Sequence, residues 1–156
     1  MQIFILLMWL ALCAAQDVRQ RRISNVLTLG VGALALVWLL TNGTTWLGAD
    51  ATQGGWACLI AVALTLPGYV MGRMGAGDVK LMTALGLATN GVFVLGAFIG
   101  AGVASVIWLL LAPRVWLHMS QGLREHLRYL KPDASKKLPF APFVLTGVVL
   151  SLIWIT

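Results

Sequence analysis

The sequence predicts an all-α fold: a polytopic helical membrane bundle of about six transmembrane segments. Three observations carry this. The 156-residue chain is 60% hydrophobic and only 10% charged, which excludes disorder and a soluble globular domain. Its apolar residues gather into runs over 2–16, 26–41, 56–72, 79–90, 92–112 and 140–156, several near the ~20 residues a helical span needs. Alternation at period two is absent, so a helical bundle is expected and a barrel is not. The whole chain, 1–156, reads as one integral-membrane domain.

Each segment has a local reason. The first run ends at "LALCAAQ" (Leu10–Gln16), which has the small residues of a signal-peptidase site. No basic residue precedes the run, however, and Arg19, Arg21 and Arg22 follow it. Cleavage would send three arginines across the membrane, so a retained first helix is expected. The fourth run is short, about 18 Å at ~1.5 Å per residue, against a core of ~30 Å. Charge parity argues for counting it as a pass. If residues 81–112 cross twice, all eleven Lys and Arg lie on one side; if they cross once, six are forced to the other. The positive-inside tendency then sets both termini outside and every basic residue in the cytoplasm. Asp50 is the one charge left in the outer loops.

Two stretches read as structural. "GAFIGAGVAS" spaces Gly96, Gly100 and Ala104 four apart, which allows close helix packing. "PRVWLHMSQGLREHLRYLKP" (Pro113–Pro132) sets Trp116, Met119, Leu123, Leu127 and Leu130 on one stripe among basic residues. It predicts an amphipathic helix lying on the anionic cytoplasmic leaflet. His118 and His126 on that stretch are interfacial side chains, with no acidic ligand at matching spacing and no metal expected. Cys13 and Cys58 lie in apolar runs and read as small buried hydrophobes, without disulfide or zinc. The lipid bilayer is the expected environment, and no cofactor or nucleic-acid partner is expected.

Five residues are acidic. Solvation accounts for Asp50, Glu125 and Asp133. Asp17 and Asp78 sit where an apolar helix meets the cytoplasmic face, one ending the first segment and one opening the fourth. Each has a plain structural role open to it. Asp17 can pair with neighbouring arginines, and Asp78, after Gly77, can serve as an N-cap. Two carboxyls at one membrane depth also suit hydrolysis by an aspartate dyad, which shares a proton and activates water without metal or covalent nucleophile. Gly75 and Gly77 would then hold an open, non-helical turn beside a wet cavity. Lys80 and Arg73 mark the membrane edge.

At these residues the chain resembles the prepilin peptidases, the bacterial branch of the G-x-G-D membrane aspartyl proteases. "DVRQRRISN" (Asp17–Asn25), "GAGDVKLMTALG" (Gly75–Gly86) and "LPFAPFVLTG" (Leu138–Gly147) carry the likeness in order. The resemblance implies that Asp17 and Asp78 are catalytic, with Gly75, Gly77 and Lys80 as supporting motif residues. It implies leader cleavage of type IV prepilins or pseudopilins at the cytoplasmic face of the bacterial inner membrane. Ser24 and Ala141 depart from the family's usual Pro and Gly. A cytoplasmic insert with cysteine pairs is absent, so the likeness is to the short form associated with Flp-type pili, without methyltransferase activity. Helix-dipole reasoning makes Asp78 the base and Asp17 the acid, an order that Arg19, Arg21 and Arg22 could reverse. A non-catalytic membrane subunit or scaffold of a pilus or secretion assembly is the alternative function. A proton-coupled carrier is disfavoured, because both carboxyls lie at one face.

Overall fold

The computed structural model describes residues 1–131 and 138–155. Helices stand at all six expected segments. In order they are α1 (Gln2–Gln20), a π-helical turn (Val26–Gly30) running into α2 (Val31–Asn42), α3 (Ala51–Val70), α4 (Ala76–Ala88) and α5 (Gly91–His118). After α5 come the short α6 (Gln121–His126), a 3-10 turn (Arg128–Leu130) and α7 (Ala141–Ile155). Helices α1, α3 and α5 are each long and apolar enough to cross a membrane, and the segments 26–42 and 141–154 are shorter and apolar. The chain is thus an all-α bundle with the composition of a membrane protein.

Small residues, more than apolar bulk, hold these helices together, as expected where lipid is no less apolar than a protein core. A Cβ built on Gly100 would lie 2.6 Å from the Gly147 Cα, so α5 and α7 meet almost backbone to backbone. Gly96 on the same face lies against Ser151. The small-residue stripe therefore does the packing predicted for it. On the other side, a Cβ on Gly86 would come within 2.7 Å of the Ala57 carbonyl, which locks α4 onto α3. Buried hydroxyls find acceptors inside their own helices: Thr65 donates to Ala61 O, Thr89 to Leu85 O and Ser151 to Gly147 O. These hydroxyls can therefore sit in an apolar bundle without facing lipid unpaired.

The short α4 spans about 20 Å at ~1.5 Å per residue. It survives because protein surrounds it: Leu81, Met82, Ala84, Leu85 and Ala88 are buried against α2 and α3. The links fall at two opposite ends of this bundle. The 43–50 loop meets the end of α4, where Leu47 N–H donates to Ala88 O at 3.3 Å. The α1–α2 link, the start of α4 and the entry to α7 meet at the other end.

Two expectations need correction. The stretch after Pro113 is not one amphipathic helix. Helix α5 continues through Pro113 to His118, Met119 is extended, and only α6 and the 3-10 turn come after it. The chain breaks where Ser120 starts a new helix with Gly122 in its first turn, and Gly is a weak helix former. The ring nitrogens of His118 and His126 sit 2.9 and 3.0 Å from the carbonyls of Arg114 and Gly122 in their own helices. Cys13 is buried as expected, but Cys58 is only half-buried; both are free thiols. Asp133, Lys136, Lys137 and the Pro132 end of the predicted stripe lie outside the described residues.

Candidate active site

Asp17 occupies the last turn of α1. That helix stops four residues later because Arg21 turns left-handed (φ 51°), its N–H donating to Asp17 O at 2.8 Å. The Asp17 carboxylate, 5% exposed, reaches the far end of the chain. Ala141 N–H donates to Asp17 Oδ2 at 3.0 Å. Ala141 is the first residue of α7, and its amide has no partner within that helix, as for any first-turn N–H. The carboxylate supplies one, as anions at helix N-termini do.

Asp78 lies in the first turn of α4 and is 8% exposed. It is not the N-cap. Gly75 holds that position, and Asp78 reaches back from three residues on to accept the Gly75 N–H at 2.8 Å. This is the returning half of a capping box. The helix therefore starts at Ala76, earlier than the apolar run suggested, and Gly77 is helical rather than part of an open turn. The turn that requires glycine falls before it, at Gly72 (φ 70°). Gly75 is extended, a conformation open to any residue, but a Cβ there would lie 3.4 Å from Asp78 Oδ2.

These local structures bring Asp17 and Asp78 to the wall of one cavity of about 740 Å³. Gly75 and Gly77 also line it, keeping that wall low. Lys80 stands beside it, its Nζ donating to Asn25 Oδ1 at 2.9 Å. The rest of the lining mixes polar Gln16, Gln20, Ser24 and Asn25 with apolar Ile23, Leu138 and Pro139. Arg21 and Arg22 stand at it too. The Arg21 guanidinium lies over the Tyr129 ring, 5.5 Å from its centroid, so the segment after α5 touches the cavity's edge.

Residues 4–110 match the sequence model of the type IV leader peptidase family, and both aspartates fall inside the match. The chain belongs to that family. No curated protein and no solved structure matches it significantly. Membership in a leader peptidase family makes proteolysis the chemistry to set beside this cavity. Two buried carboxyls lining one cavity beside polar and apolar side chains are the kind of groups that general acid–base hydrolysis of a peptide needs.

Sequence reasoning missed three contributors to this cavity. Gln16 and Ser24 line it and bond to each other, Ser24 N–H donating to Gln16 Oε1 at 2.8 Å. Ala141 holds Asp17 through its backbone alone. A signal for the last existed in "PFAP": Pro142 sits in the first turn of α7, where proline is tolerated, so an unpaired amide had to lie just before it. The dipole argument also changes. Asp17 ends α1 but sits at the N-terminus of α7, so both carboxyls now face helix N-termini and helix position no longer distinguishes acid from base.

Proposed function

We propose that this chain is a membrane aspartyl endopeptidase that removes the leader peptide of type IV prepilins or pseudopilins, of the Flp type, at the cytoplasmic membrane face. The observation that carries the reading is the shared cavity: two buried carboxyls from distant parts of the sequence line one water-accessible space. Family membership supports the reaction class, and the charge parity of the links supports the cytoplasmic face.

In this mechanism one carboxylate takes a proton from water as its oxygen adds to the scissile carbonyl carbon. The other carboxyl, protonated, gives its proton to the leaving amide nitrogen as the C–N bond breaks. The products are a leader carboxylate and a free amine on the pilin. The Ala141 and Gly75 amides each donate to one oxygen of a carboxyl, which fixes both groups at the cavity wall. Residues 1–156 act as one membrane domain in the inner membrane, with a prepilin bearing a basic leader and a hydrophobic helix as substrate.

Co-expression of a cognate prepilin with the unsubstituted chain, Asp17→Asn or Asp78→Asn, in cells lacking other prepilin peptidases, tests this. Processing is expected only with the unsubstituted chain. Unchanged processing by either variant removes the dyad.

A further inference from the structure

The two aspartates stand on helices that are not principal packing partners. Helix α1 packs mainly on α7, and α4 on α3 and α2. Something other than a shared helix interface must set the separation of the carboxyls. The link between α1 and α2 touches both carriers, and it is pinned to each.

On the α1 side, Gln16 immediately precedes Asp17, and its Oε1 accepts the Ser24 N–H at 2.8 Å. On the α4 side, Lys80 lies two residues after Asp78, and its Nζ donates to Asn25 Oδ1 at 2.9 Å. Between the pins, Ile23 is buried and packs at Gly77, where a Cβ would lie 3.6 Å from the Ile23 Cβ. The link is also anchored to the π-helical turn beyond it. Ser24 O accepts from Leu27 N–H at 3.1 Å and Thr28 N–H at 3.2 Å, and the Trp9 indole of α1 donates to Leu27 O at 2.7 Å.

We propose that Gln16, Ser24, Asn25 and Lys80 form a clamp, joining α1 to α4 through the 21–25 link, that sets the separation of Asp17 and Asp78. All four are positioning residues, and the proposal rests on the reading of the aspartates as the reacting pair. Ser24 contributes its backbone N–H, a group proline lacks. Gln16 contributes an acceptor, which glutamate also provides. Acid–base catalysis depends on both groups reaching one reacting site within a fraction of an ångström, so a loosened clamp lowers turnover without altering the grip on substrate.

Two measurements test this. The first uses no substrate. In a Cys13→Ala, Cys58→Ala background, Asp17→Cys and Asp78→Cys are bridged with dithiol-reactive linkers of graded length. The clamped protein is expected to favour a narrow range of linker lengths, and adding Gln16→Ala or Asn25→Ala to broaden it. The second is a double-mutant cycle on leader cleavage. Asn25→Ala and Lys80→Ala, which remove the two sides of one bond, are each expected to lower kcat about fivefold at unchanged KM, with no further loss when combined, and Gln16→Ala is expected to lower it by a similar factor. Gln16→Glu is expected to restore the rate, which separates a lost bond from lost folding. An unchanged linker profile, additive losses, or a loss confined to KM overturns the clamp. Failure of the unsubstituted chain to cleave any prepilin counts against the peptidase reading alone, since bridging is read without substrate.

Discussion

Asp17 and Ala141 are joined by one hydrogen bond across almost the whole chain, the Ala141 N–H donating to Asp17 Oδ2 at 3.0 Å. That bond closes the bundle, because it ties the first helix to the start of the last at the wall of the cavity. It also predicts the effect of a single substitution. Ala141→Pro removes the donor while leaving a residue that the first helical position accepts. Leader cleavage is expected to fall at least about tenfold, the order of a lost bond to a charged acceptor. Ala141→Ser keeps the N–H and is expected to retain most activity. Rates measured on folded, detergent-purified protein check this, and equal rates for the two variants would count against a role for the amide.

The close approach of α3 and α4 predicts opposite outcomes for two glycines. Gly86→Ala sets a methyl 2.7 Å from the Ala57 carbonyl, with backbone on both sides and no flexible side chain to yield. It is expected to destabilise the bundle by about 1–3 kcal/mol, the usual cost of overpacking. Gly55→Ala, half-buried on α3 but with nothing within 4 Å of a would-be Cβ, is expected to stabilise by about 0.5–1 kcal/mol. Thermal unfolding in one detergent compares the two. A Gly86→Ala protein as stable as the parent would mean that the helices do not meet as described.

Much of this architecture was legible because the chain has so few charges. With five acidic residues in the chain, Asp17 and Asp78 stood out at the ends of apolar runs, and both line one cavity. The apolar runs also located every long helix. What the sequence did not carry was tertiary pairing. No local pattern announces that Asp17 binds an amide 124 residues away or that Gln16 meets Ser24. Local reasoning also misjudged two helix starts and stops. Asp78 looked like an N-cap because Gly77 precedes it, but Gly75 takes the cap and Asp78 bonds back to it. The stripe after Pro113 satisfied helical spacing, yet the chain breaks at Met119, since apolar spacing alone does not overcome weak helix formers at Ser120 and Gly122.

Gly72 supplies the turn that feeds α4. With φ at 70° and open space around a would-be Cβ, its substitution tests backbone strain without packing. Gly72→Ala is expected to cost about 1 kcal/mol, and Gly72→Asn less, because asparagine visits the left-handed region more readily. Unfolding midpoints for the pair read the difference. Equal midpoints for glycine, alanine and asparagine would show that the turn relaxes to another conformation.

The last expectation concerns the segment after α5. Trp108 donates from its indole to Leu130 O at 2.9 Å, which pins the 3-10 turn to α5. That turn carries Tyr129, whose ring faces both Arg21 at 5.5 Å and Arg128 at 4.7 Å. Trp108→Phe keeps the aromatic packing and removes the donor, at a cost of about 1 kcal/mol for a net hydrogen bond. The turn should therefore open about fivefold more often, since ~1.4 kcal/mol corresponds to a factor of ten. Limited trypsin digestion at Arg128 is expected to speed up by that factor under conditions where opening is faster than cleavage. Sites within the membrane helices should stay protected. Unchanged digestion at Arg128 would show that packing, and not the indole bond, holds the turn in place.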